Sequence, residues 1–125
     1  VSLLLHYPNV IAWVNGHVHA NNITAHHHAL DARRSWWEIN TASHVDFPQM
    51  ARIIELADNH DGTVSIFTTL IESNAPYQAD YDTTDPDGLA SLYREFGAND
   101  IHTMTRRLGT SVDHNTELLL AHPWA

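Results

Sequence analysis

QMARIIELADNHDGTVSIFTTLIE, residues 49–72, decides the fold, because its first half reads two ways. Met50, Ile53, Ile54 and Ala57 fall on one stripe of a helix, whereas Arg52, Ile54 and Leu56 against Ile53 and Glu55 alternate as a strand does. Asp61-Gly62 favours the strand, because an Asp-Gly pair between two apolar runs is a hairpin signal. GTVSIFTTLIE after it is dense in β-branched and aromatic residues and is the clearest strand in the chain. The expectation is an antiparallel hairpin, 50–58 with 63–72, joined by Asn59-His60-Asp61-Gly62.

Upstream, Asn9 to Val14 is apolar on both faces, with Val10, Ala12 and Val14 on one and Ile11 and Trp13 on the other. That pattern predicts a strand covered on both sides, ended by Gly16. Ile23 to His27 reads as a second short strand, DARR at 31–34 as a polar turn, and Trp36 to Thr41 as a third strand. Residues 1–6 fit either the last turn of a helix or the end of a strand.

Downstream, SNAPYQADYDTTDPDG at 73–88 is acidic and rich in breakers, and predicts a long surface loop. Asp87 is the expected cap of a helix carrying Leu89, Leu92, Tyr93 and Phe96 and ending near Gly97. Asn99 or Asp100 is the expected cap of a second, carrying Ile101, Met104 and Leu108 and stopped by Gly109. The tail SVDHNTELLLAHPWA has room for one more short element. This divides the chain into a core over 1–75, an acidic loop over 76–88 and a helical extension over 89–125.

The 125 residues, 43% of them apolar, suffice for one domain with a sizeable core. With no cysteine there is neither a disulfide framework nor a thiolate metal site. Fifteen acids against six arginines, with no lysine, give a net charge of -9 with the histidines neutral. Nucleic acid and anionic membranes need basic patches, so neither is expected as the main partner. A phosphate-bearing small substrate stays open, because bound cations reverse the local sign. No stretch is long enough to span a bilayer, and VSLLLHYP is too short and lacks the basic start of a secretory signal. It opens inside an apolar segment without Met and reads as a cut end, the preceding residues belonging to the same domain.

The chemistry concentrates in VIAWVNGHVHANN, residues 10–22. In an extended segment, residues two apart point to the same side, so His17 and His19 can converge on one metal or on a close pair. Gly16 lets the backbone turn beside them. An apolar strand, Gly-His-x-His and a polar loop together resemble the last signature block of the calcineurin-like metallophosphoesterases. WWEINTASHVDFPQMARIIELADNHDGTVSIFTTLIE resembles the C-terminal hairpin region of an exported actinobacterial branch of that superfamily, and the resemblance spans residues 5–75.

The resemblance implies a four-layer α/β/β/α sandwich, of which this chain is the C-terminal half, α/β or α+β in class. It implies a binuclear centre of divalent or trivalent ions of the Mn, Fe or Zn type, with His17 on one metal and His19 on the other. It implies hydrolysis of phosphomonoesters or phosphodiesters by the parent enzyme, and export of the full-length protein. The family's Asp-x-His block, bridging Asp and Gly-Asn-His block have no counterpart here. The chain therefore carries no catalytic residue of its own and is expected to be inactive without an N-terminal part.

Other candidates stand beside blander readings. Asn21 and Asn22 either orient the imidazoles or form a plain turn. His44 and Asp46 either touch substrate beside the site or belong to an ordinary polar loop. HHH at 26–28 reads as a polar strand end or loop near the site rim. Asp80, Asp82, Asp85 and Asp87 lack the glycine and glutamate spacing of an EF-hand and read as a solvated loop. Trp36 and Trp37 either stack on a base or cover opposite faces of a sheet, and His60, His102, His114 and His122 read as surface residues. Two rival functions remain: a non-catalytic histidine-rich metal-binding module, and a structural or assembly domain whose uncovered sheet self-associates.

Overall fold

Two three-stranded sheets organise the chain. The computed structural model describes residues 1–101 and 104–124. The first sheet holds β1 (Ala12–Asn15), β2 (Asn22–His26) and β3 (Trp36–Asn40) in the order β1-β3-β2, with β1 parallel and β2 antiparallel to β3. The second holds β4 (Met50–Asp58), β5 (Thr63–Glu72) and β6 (Thr116–Ala121), antiparallel throughout with β5 central. One α-helix, α1 (Pro86–Asn99), stands among the described residues, so the class is mixed α+β and mostly sheet.

The hairpin forms over the expected bounds because its alternation has a face to bury. Val64, Ile66 and Thr68 of β5 are buried, while Phe67, Thr69 and Ile71 between and beyond them are exposed. β6 repeats the pattern, with Leu118 and Leu120 buried and Leu119 exposed. Ile39 of the first sheet packs with Ile66, Leu118 and Leu120 of the second, and Ile11, Ala12, Ile23, Trp37 and Ile54 surround them. The core therefore lies between the two sheets. Trp37 belongs to it, and its indole N–H donates to the Leu119 carbonyl at 3.3 Å. Trp36 lies on the opposite face, stacked on His26 with ring centroids 4.0 Å apart. The pair thus covers two faces of one sheet.

β1 departs from expectation. Its single neighbour is β3, so it is an edge strand, and Trp13 and Val14 are 50% and 49% exposed instead of covered on both sides. The outer face of the second sheet likewise shows Ile53, Phe67, Ile71 and Leu119. Residues 1–6 contain a 3-10 turn at Leu4–His6.

The C-terminal third differs most. Asp85, not Asp87, caps α1 by accepting from the Gly88 N–H at 2.8 Å. Pro86 explains the shift: its fixed φ suits the first helical position, which makes the preceding residue the cap. The helix runs past Gly97 to Asn99. The expected second helix falls partly outside the described residues. What is described is a 3-10 turn, Thr105–Leu108, ended by Gly109, with Ile101 91% exposed. The tail element is β6, paired to β5, so 89–125 is not helical throughout. No helix among the described residues is long and apolar enough to cross a membrane.

A buried polar cluster joins the sheets. Arg52, on the inner side of β4, donates to Thr68 Oγ1 at 3.0 Å and to the Asn21 side-chain oxygen at 3.1 Å. It also donates to the carbonyls of His114 at 3.0 Å and Asp113 at 2.7 Å. Asp113, itself buried, accepts from the N–H of Ile23 and from the N–H and hydroxyl of Thr110. Arg52→Met keeps the stem and removes every donor, stripping the Asp113 carbonyl of its partner and leaving the Asn21 oxygen and the His114 carbonyl with one donor each. Urea denaturation is expected to show a loss on the order of 3 kcal/mol, whereas an unchanged midpoint would reduce the cluster to decoration.

Candidate functional site

Parallel β1 and β3 end at the same level, where Asn15 and Asn22 both register with Asn40. The loops leaving the C-terminal ends of these strands meet there, and such junctions are where parallel sheets gather ligands. The loop after β1 carries His17 and His19, and the loop after β3 carries His44 and Asp46.

The two histidines are not in an extended segment. Gly16 to His19 is a turn closed by the His19 N–H donating to the Gly16 carbonyl at 3.2 Å, so strand alternation does not align the imidazoles. His19 sits at φ 52, in the left-handed region that a residue with a Cβ enters at a cost of roughly 1 kcal/mol or more. Such strain persists only where neighbours enforce it. His17 is exposed.

His19 is held by a carboxylate. Its Nδ1 is 2.9 Å from Asp46 Oδ2, and the same oxygen accepts from Arg107 Nη1 at 2.7 Å. Burial pushes the Asp46 carboxyl upward, but the hydrogen bond from His19 and the charges of His19 and Arg107 outweigh it, and the group is held below its ordinary range. An ionised carboxylate only accepts, so Nδ1 carries the proton of this bond and Nε2 is the ring nitrogen turned away from Asp46. Carboxylate–imidazole pairs of this kind orient histidines that ligate metals.

Suitable donors are not a complete site. Among the described residues no group of three or more His, Asp or Glu side chains gathers as a metal ion requires. Two imidazoles do not make the whole ligand set of two ions.

The remaining candidates separate. Asn21 does not orient the imidazoles: its side-chain oxygen accepts from Ala42 N–H and Arg52, and its amide donates to the Leu108 carbonyl and Met50 sulfur. It is a buried latch, 1% exposed. Asn22 is exposed and accepts from the Thr24 hydroxyl. His44 is exposed, and its carbonyl accepts from the Tyr93 hydroxyl of α1. The loop after β3 thus reaches the histidine turn through Asp46. The triple histidine lies elsewhere, because β2 runs away from this end: His26 pairs with Trp36 and contacts Glu38 at 2.9 Å, and His28 Nδ1 accepts from the N–H of Leu30 and Asp31. Asp80 is occupied within its own loop, accepting from Asp82 N–H and the Thr83 hydroxyl.

A cavity of about 520 Å³ adjoins the turn, bounded by Val18, Asn22, Arg106, Arg107, Gly109 and Thr110 among others. Gly109 is required there: its φ is 76, and a Cβ would lie 2.5 Å from the Asn21 carbonyl oxygen. The sequence pattern does not point to Arg106 and Arg107. Their one signal is adjacency in a chain with few cations. No family model, curated protein or solved structure matches the chain.

Asp46 sets an acid limit. Because its folded pKa is depressed, its stabilisation is present above the unfolded carboxylate range and is lost as pH falls through the folded value. The melting-temperature gap between wild type and Asp46→Asn is expected to hold above about pH 5 and to close below about pH 4. A gap independent of pH would remove the ion pair as its cause.

Proposed function

We propose that the chain is the C-terminal part of a calcineurin-like metallophosphoesterase, hydrolysing phosphomonoesters or phosphodiesters, to which it contributes His17 and His19, one to each of two metal ions. The observation that carries this reading is the His19–Asp46–Arg107 chain, which orients an imidazole in a strained turn at the C-terminal end of a parallel strand pair. Stacked sheets with a mixed and an antiparallel member support the two inner layers of an α/β/β/α sandwich.

In this reading the ions, of the Mn, Fe or Zn type, supply a hydroxide at neutral pH and a clamp on the phosphoryl oxygens. The chain's own residues position the second imidazole: Asp46 holds Nδ1, Arg107 holds Asp46, and Gly16 opens the turn. The other ligands and the general acid come from sequence outside this chain, so the chain alone does not turn over substrate.

The rival reading, a non-catalytic histidine-rich module, draws on a second histidine–carboxylate group. Asp58 Oδ2 lies 3.3 Å from His60 Nδ1 and 3.8 Å from His122 Nε2. Manganese titration followed by imidazole NMR separates the two. Paramagnetic broadening is expected first at His17 and His19, weak and substoichiometric, and lost in His17→Ala/His19→Ala. Equal broadening across all histidines would favour the module, and silent His17 and His19 signals would end the phosphoesterase reading.

A further inference from the structure

We propose that the cavity beside the histidine turn is an oxyanion pocket in which Arg106 holds a phosphoryl group carried on a small organic body. The substrate class rests on the phosphoesterase reading, whereas anion binding by the pocket does not need the metals.

The argument begins with the arginines. Of the six in the chain, Arg33 and Arg34 face Asp31, Arg94 faces Glu72, Arg107 faces Asp46, and Arg52 is spent on the buried cluster. The exposed Arg106 uses its carbonyl to accept from Gly109 N–H, and its guanidinium has neither a hydrogen-bond nor an ion-pair partner among the described residues. It lines the cavity all the same. In a chain of net charge -9, a cation left without a carboxylate is the exception. A guanidinium presents a planar fork of donors suited to two oxygens of one phosphate.

The acids nearby do not compete for it. Asp113 borders the cavity, but one of its oxygens accepts from Ile23 N–H and the other from the N–H and hydroxyl of Thr110. Asp46 is already shared by His19 and Arg107. The remaining wall mixes apolar surface from Val18, Ala20 and Met104 with the exposed side chain of Asn22. A volume of about 520 Å³ is that of a small-molecule site. Val18 belongs both to the histidine turn and to the wall, and Arg107, which holds Asp46 against His19, also lines the cavity, so the pocket abuts the turn without including its imidazoles.

The test uses the whole chain in EDTA, with phenyl phosphate, inorganic phosphate, benzoate and benzyl alcohol as probes in amide NMR titrations. Phenyl phosphate is expected to bind most tightly and to shift Val18, Ala20, Asn22 and Thr110. Arg106→Ala is expected to weaken it at least fivefold, Arg106→Lys to recover part of the loss, and His17→Ala to leave it unchanged. Undiminished binding to a folded Arg106→Ala protein, or shifts outside the cavity, would overturn the proposal. Benzoate binding there in preference to phenyl phosphate would overturn the phosphoryl assignment. Because metal is excluded, these outcomes are independent of the manganese titration.

Discussion

The guanidinium of Arg52 is the constraint on which the rest depends. Placing a cation between two sheets is costly, and burial pushes its pKa down despite the opposing charge of Asp113. It is tolerated because the Asn21 and Thr68 side-chain oxygens and two main-chain carbonyls accept from it. Those acceptors come from β5, from the residue before β2 and from the segment leading into β6, so satisfying one side chain fixes how three parts of the chain meet. An apolar residue in its place would pack the same layers without specifying their alignment.

That alignment positions the candidate site. Asn21, two residues beyond His19, binds Arg52 and Ala42 N–H on one side and the Leu108 carbonyl on the other. Its own N–H donates to the Arg107 carbonyl at 2.9 Å. The histidine turn, the loop after β3 and the arginine-bearing turn are therefore tied at one residue. Asp46 and Arg107 are brought within reach of His19 by that tie. The site is held from beneath by buried amide chemistry, and Asp46 with Arg107 then fixes the half-buried His19 ring.

The sheets were largely legible in the sequence, and the reason is periodicity. The hairpin at 50–72 carries period-two alternation and an Asp-Gly turn, both local, and its bounds were readable to the residue. β6 was not, because LLL within TELLLA has no alternation in composition, and its strand character comes from pairing with β5 across some fifty residues. The cap of α1 turned on Pro86, a local signal available but outweighed by the acidic run. In the site, His17 and His19 were visible as a motif. Asp46 was visible as a residue beside the site, but its hold on His19 and that of Arg107 on Asp46 were not, because the pairs lie 27 and 61 positions apart. Asn21 was visible but misassigned, since nothing local distinguishes a latch from a ligand's neighbour.

The left-handed backbone at His19 narrows the alphabet available to that position. β-Branched side chains are disfavoured there, and although Gln49 of this chain also adopts such a φ, glycine, asparagine, aspartate and histidine are the residues that enter the region most readily. Of these four, glycine offers no donor atom to a cation, and an amide offers only a weak one. Backbone shape thus leaves little beyond an imidazole or a carboxylate before any chemistry is selected. A neighbouring aspartate then settles the matter, since a second carboxylate beside Asp46 would meet repulsion where an imidazole meets a hydrogen bond. The turn is a filter on side-chain identity, set by conformation first and charge second.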